Sequence, residues 1–121
     1  MLYQKLTPDF THNDERGTLT QIAHAGYTQI NAVTSKAGTL RGGHYHKQST
    51  EAFYIISGTV EVTLSRDNEQ EKVAFHSGDF FRIEPYTVHS MLYTEDTVLI
   101  ALYDIPVELE NGEKDIIPQD Q

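Results

Sequence analysis

The sequence predicts an all-β protein, a sandwich or barrel built from many short strands. Apolar residues recur at every second position in several segments, whereas sustained helical periodicity does not occur. The segments are closely spaced, rich in Thr, Val, Ile and Tyr, and separated by polar or glycine-containing turns. Eight or more segments of this kind indicate a sandwich or barrel, and a length of 121 residues without a composition break indicates a single domain.

The alternation is clearest in the second half of the chain. Val60, Val62 and Leu64 fall on one face of a strand and the polar residues between them on the other. The polar stretch 66–71 predicts a turn, and Ser-Gly-Asp at 77–79 predicts another. The strands predicted in this half are 59–65, 72–76, 80–83, 88–93 and 97–105.

The first half carries weaker strand signals, at 17–23, 27–35 and 39–46. We predict one domain over residues 1–121, with its barrel core at about 38–104. The acidic, turn-rich segment 108–121 is expected to be a surface strap or a partly mobile end.

Composition excludes several classes of function. Because the chain has no cysteine, thiolate zinc clusters, thiol nucleophiles, iron–sulfur clusters and disulfides are ruled out. A net charge of −9 without a basic cluster argues against nucleic-acid binding. The longest apolar stretch, 98–103, is too short to span a bilayer, so no membrane association is expected. The N-terminus shows no signal peptide, and we expect a cytoplasmic protein.

The stretch 38-GTLRGGHYHKQSTEAFYIISG-58 gathers groups that bind metal ions. His44 and His46 are two residues apart on a strand, so both rings face one side, with Cα atoms about 6.6 Å apart. The polar turn 47–50 lets Glu51 open the next strand and meet the histidines across the pair. Two histidines and one carboxylate form the facial arrangement typical of non-haem iron, and manganese, nickel and other ions also fit.

His89 is the expected fourth ligand, because it lies on an inward-alternating run with Met91 and Tyr93. Gly42 and Gly43 are expected to allow close backbone packing or a bulge. The prediction is a site for one divalent transition metal ion, either Fe, Mn, Ni or Zn. The remaining histidines are assigned to the surface or to turns; they are His12, His24 and His76.

These residues match a known pattern, and the sequence resembles single-domain cupins over residues 38–104. The first cupin motif, G-x5-H-x-H-x4-E-x6-G, is complete, with Gly38, His44, His46, Glu51 and Gly58. The second motif is looser. It is matched by Gly78, Asp79, Pro85 and His89, but Glu84 replaces a common proline, Tyr86 a usual glycine and Tyr93 a frequent asparagine.

The resemblance implies a cupin double-stranded β-helix, or jelly-roll barrel, with a metal held by three histidines and one glutamate. It also implies frequent homodimers, but no particular reaction. The segments 14-DERGTLTQI-22 and 41-RGGHYH-46 are similar to cupins that epimerise or isomerise nucleotide-linked deoxysugars. In the keto-isomerases of that group, the RGGH-x-H segment supplies catalytic histidines without a metal, and Glu51 and His89 depart from that pattern.

Three functions remain open at this point. The first is a metal-dependent isomerase or epimerase of a sugar or related hydroxy-carbonyl compound; the others are an iron-dependent oxygenase and a non-catalytic module that binds a small ligand or metal. The candidates for proton transfer are Tyr45, Tyr86, Tyr93 and Glu84. Arg41 is a candidate for binding an anionic part of the substrate, with surface ion pairing as its alternative, and Met91 is a candidate for lining the pocket.

Overall fold

The computed structural model describes residues 1–119, which form twelve β-strands and no helix. The strands are β1 (Gln4–Leu6), β2 (Phe10–Asp14), β3 (Gly17–Gln21), β4 (Gln29–Ser35), β5 (Leu40–Tyr45), β6 (Glu51–Ser57), β7 (Thr59–Arg66), β8 (Glu69–His76), β9 (Phe80–Ile83), β10 (Val88–Tyr93), β11 (Thr97–Tyr103) and β12 (Ile117–Pro118).

Ten of the strands form two antiparallel sheets. One sheet has the order β1-β9-β6-β11-β4 and the other the order β12-β5-β10-β7-β8. Strands β2 and β3 make a separate hairpin. Consecutive strands repeatedly cross from one sheet to the other, which is the jelly-roll arrangement. The predicted all-β jelly roll is confirmed.

The core lies between the two sheets. Val60, Val62 and Leu64 are fully buried, as their alternation along β7 predicts. They pack in one cluster with residues of the facing sheet that include Phe53 and Phe81. Burying a side chain of this size stabilises the fold by about 1.5–3 kcal/mol. Part of this apolar cluster also lines the cavity described below.

The polar stretch 66–71 is mostly strand, so the predicted turn there is wrong in extent. Arg66 pairs with Glu69, which leaves only Asp67 and Asn68 in a two-residue hairpin turn. The start of β8 is exposed on both faces, and its side chains are therefore polar, like those of a turn. Hydrophobic alternation cannot mark a strand that buries nothing.

The barrel extends beyond the predicted core of 38–104. The short strand β1 pairs with β9, and β4 pairs along its length with β11. The later segment is also more ordered than a mobile end, because β12 pairs with β5 and Asp115 is 3% exposed. The last two residues of the predicted segment, 120–121, lie outside the described residues.

No helix within residues 1–119 is long and apolar enough to cross a membrane.

Candidate functional site

The backbone of β5 and β10 brings two histidines face to face. His44 lies opposite His89 in the strand pair, and the register shifts just after it, at the glycine pair of β5. A Cβ on Gly42 would lie 2.7 Å from the carbonyl oxygen of His89, so only glycine allows this approach. Gly42 and Gly43 have φ angles of 93° and 78°. Close backbone packing is found at Gly42, and a register shift occurs beside the glycine pair, whereas Gly43 has no such close contact.

Four potential ligand side chains converge at this point. One ligand atom each from His44, His46, Glu51 and His89 lies within 4.8 Å of the others. Glu51 begins β6 directly after the 47–50 loop, as its spacing predicts, and it enters the cluster from the opposite sheet. His44 is partly exposed, whereas the other three side chains are buried.

Backbone carbonyls orient two of the imidazole rings. Nδ1 of His46 donates to the carbonyl oxygen of Asp115 at 2.5 Å, and Nδ1 of His89 donates to that of Thr87 at 3.1 Å. Their Nε2 atoms therefore face Glu51 Oε1, at 2.9 Å and 3.2 Å. This is how metal-binding histidines are commonly held, with one nitrogen fixed by the protein and the other directed at the ion.

The donor set fits a divalent metal ion. Nε2 of His89 is buried, and at its 3.2 Å separation from Glu51 the geometry is not that of a hydrogen bond. Buried polar atoms without a partner are rare in native proteins, and a ligated metal would satisfy this one. Imidazole nitrogens and a carboxylate oxygen suit iron, manganese, nickel and zinc. That the residues bind a metal, and which one, stays a prediction.

The surroundings of the cluster shift the pKa values of three of its side chains. Burial, together with the nearby imidazoles of His89 and His46, lowers the pKa of His44 to about 4, so this ring is neutral at pH 7. Burial opposes ionisation of His46 and Glu51, but it is outweighed by their mutual hydrogen bond and opposite charges, together with Asp115 acting on His46 and His89 acting on Glu51. The pKa of His46 is raised, and that of Glu51 is lowered to about 2. The site therefore holds an ionised carboxylate beneath three imidazoles.

The four side chains lie in the wall of a cavity of about 200 Å³. One part of the lining is apolar and comes from both sheets, with Val33, Phe53, Met91, Leu99 and Ala101. Another part is polar and contains Arg41, Tyr93 and Tyr103. Arg41 is held in place by its own contacts, since Nε donates to Ser35 Oγ at 2.8 Å and an Nη to the carbonyl oxygen of Thr34 at 3.2 Å.

Of the six residues proposed from the sequence for proton transfer or substrate binding, three lie on this cavity and three do not. Arg41, Met91 and Tyr93 line it, as their positions on β5 and β10 lead one to expect. Tyr45, Tyr86 and Glu84 do not line it, and a role for them in proton transfer stays a prediction.

The physical reason is strand alternation and turn geometry. Tyr45 lies between His44 and His46, and neighbouring residues on a strand face opposite sides. Its ring stacks outside the cavity on Tyr86, with centroids 5.9 Å apart. Glu84 is exposed in the turn before β10, and its carboxylate lies 3.1 Å from Arg82 Nε.

Sequence reasoning missed several residues of the cavity, among them Tyr103 and Ile116, and it missed Asp115, which contacts a candidate ligand. Tyr103 lines the cavity, and its ring meets that of His46 edge-on at 5.9 Å. The signal was available, because Leu99, Ala101 and Tyr103 alternate along β11. Ile116 also lines the cavity, and Asp115 anchors His46. No local pattern marks these two, since Asp115 and His46 are separated by 69 positions in the chain.

Solved structures resemble this fold over most of its length. The ketoisomerase WlaRB of Campylobacter jejuni, which acts on TDP-quinovose, is 16% identical, with 97% of this chain and 92% of that chain covered and a TM-score of 0.80. The sugar 3,4-ketoisomerase QdtA of Thermoanaerobacterium thermosaccharolyticum, in complex with TDP, is 20% identical, with coverages of 86% and 81% and a TM-score of 0.75.

A dTDP-4-dehydrorhamnose 3,5-epimerase of Sulfolobus tokodaii is also similar, with 17% identity, coverages of 85% and 75% and a TM-score of 0.68. At these identities, the likeness to solved structures establishes the fold, which is that of the cupin epimerases and ketoisomerases. The resemblance to cupins found in the sequence is therefore confirmed.

One curated relative matches part of the sequence more closely. A UDP-2-acetamido-2,6-beta-L-arabino-hexul-4-ose reductase of Pseudomonas aeruginosa is 42% identical over 48 residues, which are 39% of this chain and 13% of the reductase. The sequence profile of the polysaccharide biosynthesis C-terminal domain matches residues 12–105, which is most of the chain. This cupin-fold chain therefore belongs to the polysaccharide biosynthesis C-terminal domain family.

Proposed function

We propose that this chain binds one divalent metal ion and isomerises or epimerises a nucleotide-linked keto sugar next to its carbonyl group. The observation that carries the proposal is the convergence of His44, His46, Glu51 and His89 in the wall of a small cavity. The cytoplasmic location and the homodimer remain predictions, from the sequence and from the resemblance respectively.

The size of the cavity favours a small reacting group. At about 200 Å³ it is smaller than the range of about 300–1,000 Å³ usual for sites that enclose a drug-sized ligand. A single sugar ring suits this space better than a complete nucleotide sugar. The nucleotide would then lie at the cavity mouth, where Arg41 is exposed.

The chemistry combines an ion with groups of this chain. A divalent ion held by the four ligands would polarise a sugar carbonyl as a Lewis acid. Burial and the charge of Glu51 raise the pKa of Tyr103, and burial also raises that of Tyr93. Both phenols therefore stay protonated at neutral pH and act as hydrogen-bond donors towards a sugar oxygen. Arg41 would hold an anionic part of the substrate.

The relatives support a nucleotide-linked sugar as the substrate. The similar solved enzymes carry TDP or TDP-linked sugars in their names, and the partial sequence relative acts on a UDP-linked keto sugar by its name. Epimerisation and ketoisomerisation share one step, removal of a proton from the carbon beside a carbonyl group. With all four side chains on the ion and both phenols protonated, a water molecule in the cavity would accept this proton and pass it to solvent. The proposal commits to that shared step and leaves the nucleotide base open.

A second candidate is a metal-free isomerase in which His44 and His46 are the acid–base pair. The centroids of their rings are 5.2 Å apart in the cavity wall. Glu51 forms a hydrogen bond with His46 but not with His44. The pKa of His44 is lowered and that of His46 is raised, which makes one ring a proton acceptor and the other a donor. The resemblance to keto-isomerase cupins favours this same pair.

The test is metal analysis combined with isotope exchange. Protein purified without chelator would be assayed for metal per chain, then incubated in D₂O with TDP- and UDP-linked 4-keto-6-deoxy sugars. We expect near-stoichiometric metal and deuterium incorporation beside the carbonyl. His46→Ala should lose both the metal and the exchange. His76→Ala, which changes an exposed histidine on β8, is the matched control and should keep both.

Each other outcome identifies a different function. Exchange that persists after complete metal removal would establish the acid–base pair in place of the metal. Bound iron with substrate-dependent O₂ consumption and no exchange would establish the oxygenase. Bound metal with neither reaction would leave a binding module, and full metal occupancy in His46→Ala would refute the ligand assignment.

A further inference from the structure

Residues 115–119 run past the candidate site and touch it at several points. β12 pairs with β5, with Ile117 opposite Tyr45 and Pro118 opposite His44. The amide of Gln119 donates to the carbonyl oxygen of Gly43 at 2.8 Å. The strand that carries the first histidine of the cluster is thus an inner strand of its sheet only because this segment covers its edge.

The side chain of Asp115 secures the loop between His46 and Glu51. Its Oδ1 accepts from the amide of Lys47 at 2.7 Å, and its Oδ2 accepts from the amides of Gln48 and Ser49 at 2.8 Å and 3.0 Å. Three backbone donors on one buried carboxylate form a strong, charge-assisted anchor. The loop therefore has little freedom to change the spacing of the two ligands at its ends.

The main chain of the same residue orients His46 directly. The carbonyl oxygen of Asp115 accepts from Nδ1 of His46, and this leaves Nε2 facing the cluster. Ile116, the next residue, lines the cavity. A single short segment therefore sets the ring orientation of one candidate ligand, the loop that follows it and part of the cavity wall.

We propose that residues 115–119 are a clamp that positions His46 and the 47–50 loop, so that metal affinity depends on Asp115, although Asp115 ligates no metal itself. This inference deepens the proposed function and rests on it only where metal affinity is concerned. The position of the His46 ring can be measured without any metal.

The experiment compares Asp115→Asn with Asp104→Asn. An asparagine keeps the shape of Asp115 but turns one acceptor oxygen into a donor, so it cannot serve all three amides. Asp104→Asn is the control for loss of charge alone, because only Oδ1 of Asp104 accepts, from the amides of Thr50 and Ile105 at 2.7 Å each, and an asparagine keeps that acceptor. It secures the other end of the same loop, away from His46.

Two measurements are made on each protein. The Zn²⁺ affinity is determined by competition with a chromophoric chelator, and we expect a loss of about 10- to 100-fold in Asp115→Asn with a much smaller loss in Asp104→Asn. In metal-free protein, solvent exchange of the Nδ1 proton of His46 is followed by NMR. We expect slow exchange in the wild type and in Asp104→Asn, and faster exchange in Asp115→Asn.

The outcomes separate the two proposals. Equal Zn²⁺ affinities for the wild type and Asp115→Asn would overturn the clamp. Equal losses in both variants would overturn it as well, because they would indicate only the loss of a negative charge near the loop. If the wild type binds no Zn²⁺ or other divalent ion, the metal part of the proposed function fails, and proton exchange alone decides the clamp. If Asp115→Asn does not fold, rapid exchange of the His46 proton in the wild type would still overturn it.

Discussion

Tyr86 shows how a single residue can keep a turn that usually requires glycine. It stands where cupins commonly have glycine, and its φ of 67° lies in the left-handed region. That conformation costs a residue with a Cβ about 1–2 kcal/mol. Its ring stacks on Tyr45, and such a pair contributes about 0.5–1.5 kcal/mol, which offsets much of the strain. The unusual residue in the second motif therefore leaves the approach to His89 intact.

Gly42 is predicted to be far less tolerant of substitution than its neighbour. In Gly42→Ala the new Cβ would lie 2.7 Å from the carbonyl oxygen of His89, which adds overpacking of about 1–3 kcal/mol to the backbone strain. Gly43→Ala meets no atom within 4 Å and should cost only the strain, about 1–2 kcal/mol. Urea unfolding of metal-free protein measures both; equal losses would contradict the close contact.

Arg41 is predicted to contribute to binding of the anionic part of the substrate. Arg41→Ala should weaken binding of a nucleoside diphosphate about tenfold or more, the effect of losing a charged hydrogen bond of about 1.5–3 kcal/mol. Metal content should not change, because Arg41 is outside the ligand cluster. Calorimetric titration with TDP and UDP measures the affinity. The control is Arg66→Ala, an exposed arginine that does not line this cavity; unchanged affinity in Arg41→Ala would leave only surface pairing for Arg41.

At the scale of elements, the clamp of residues 115–119 makes the free energy of unfolding depend on pH in the acidic range. Burial raises the pKa of Asp115, but the amides of Lys47, Gln48 and Ser49 lower it by more, so the pKa falls below its ordinary value of 3.8. The charge of His46 acts in the same direction. Because the pKa is depressed in the folded state, the stabilisation is present above about pH 4 and is lost as pH falls through the folded pKa.

Asp115→Asn should therefore destabilise the metal-free protein most at neutral pH. The difference in free energy of unfolding from the wild type should be constant from pH 7 down to about pH 4 and shrink below it, because protonation removes the carboxylate from both folded and unfolded wild type. Denaturant unfolding at a series of pH values, with chelator present, measures this. A difference that stays constant down to pH 2 would show that the charge of Asp115 is not what holds the loop.

At the scale of the whole molecule, the candidate ligands belong to both sheets. His44 and His89 lie on β5 and β10 of one sheet, and Glu51 lies on β6 of the other. An ion bound to all of them would connect the two layers of the jelly roll across one end of the core. Metal binding would then stabilise the complete fold and not only a loop.

Metal removal is accordingly predicted to lower the melting temperature. A metal present at about 100 times its Kd adds about 2.7 kcal/mol to the free energy of unfolding, which corresponds to a shift of several degrees for a domain of this size. Scanning calorimetry with and without Zn²⁺ or Fe²⁺ measures the shift. Glu51→Gln should show little or none, and an equal shift in this variant would indicate metal binding elsewhere on the chain.

Many of the strands could be predicted from the local pattern of apolar and polar residues. Strands β7 and β10 were predicted to within one residue because each buries one face and alternates, and β9 was predicted because it is a short apolar run bounded by turns. Strands β1 and β2 and the start of β8 were missed, since exposed strands leave no hydrophobic period. The candidate ligands were accessible for a similar reason, as fixed spacing along two strands and one loop forces them to a common face.

The sequence by itself determined the all-β class, the cupin resemblance, the four converging side chains and the need for glycine beside them. These features follow from contacts between near neighbours in the chain or on adjacent strands, where geometry is nearly independent of the rest. Only the tertiary structure decided that Tyr103 and Ile116 line the cavity, that Tyr45, Tyr86 and Glu84 do not, and that Asp115 holds His46. Those contacts join positions tens of residues apart, and their pairing depends on how the whole chain packs.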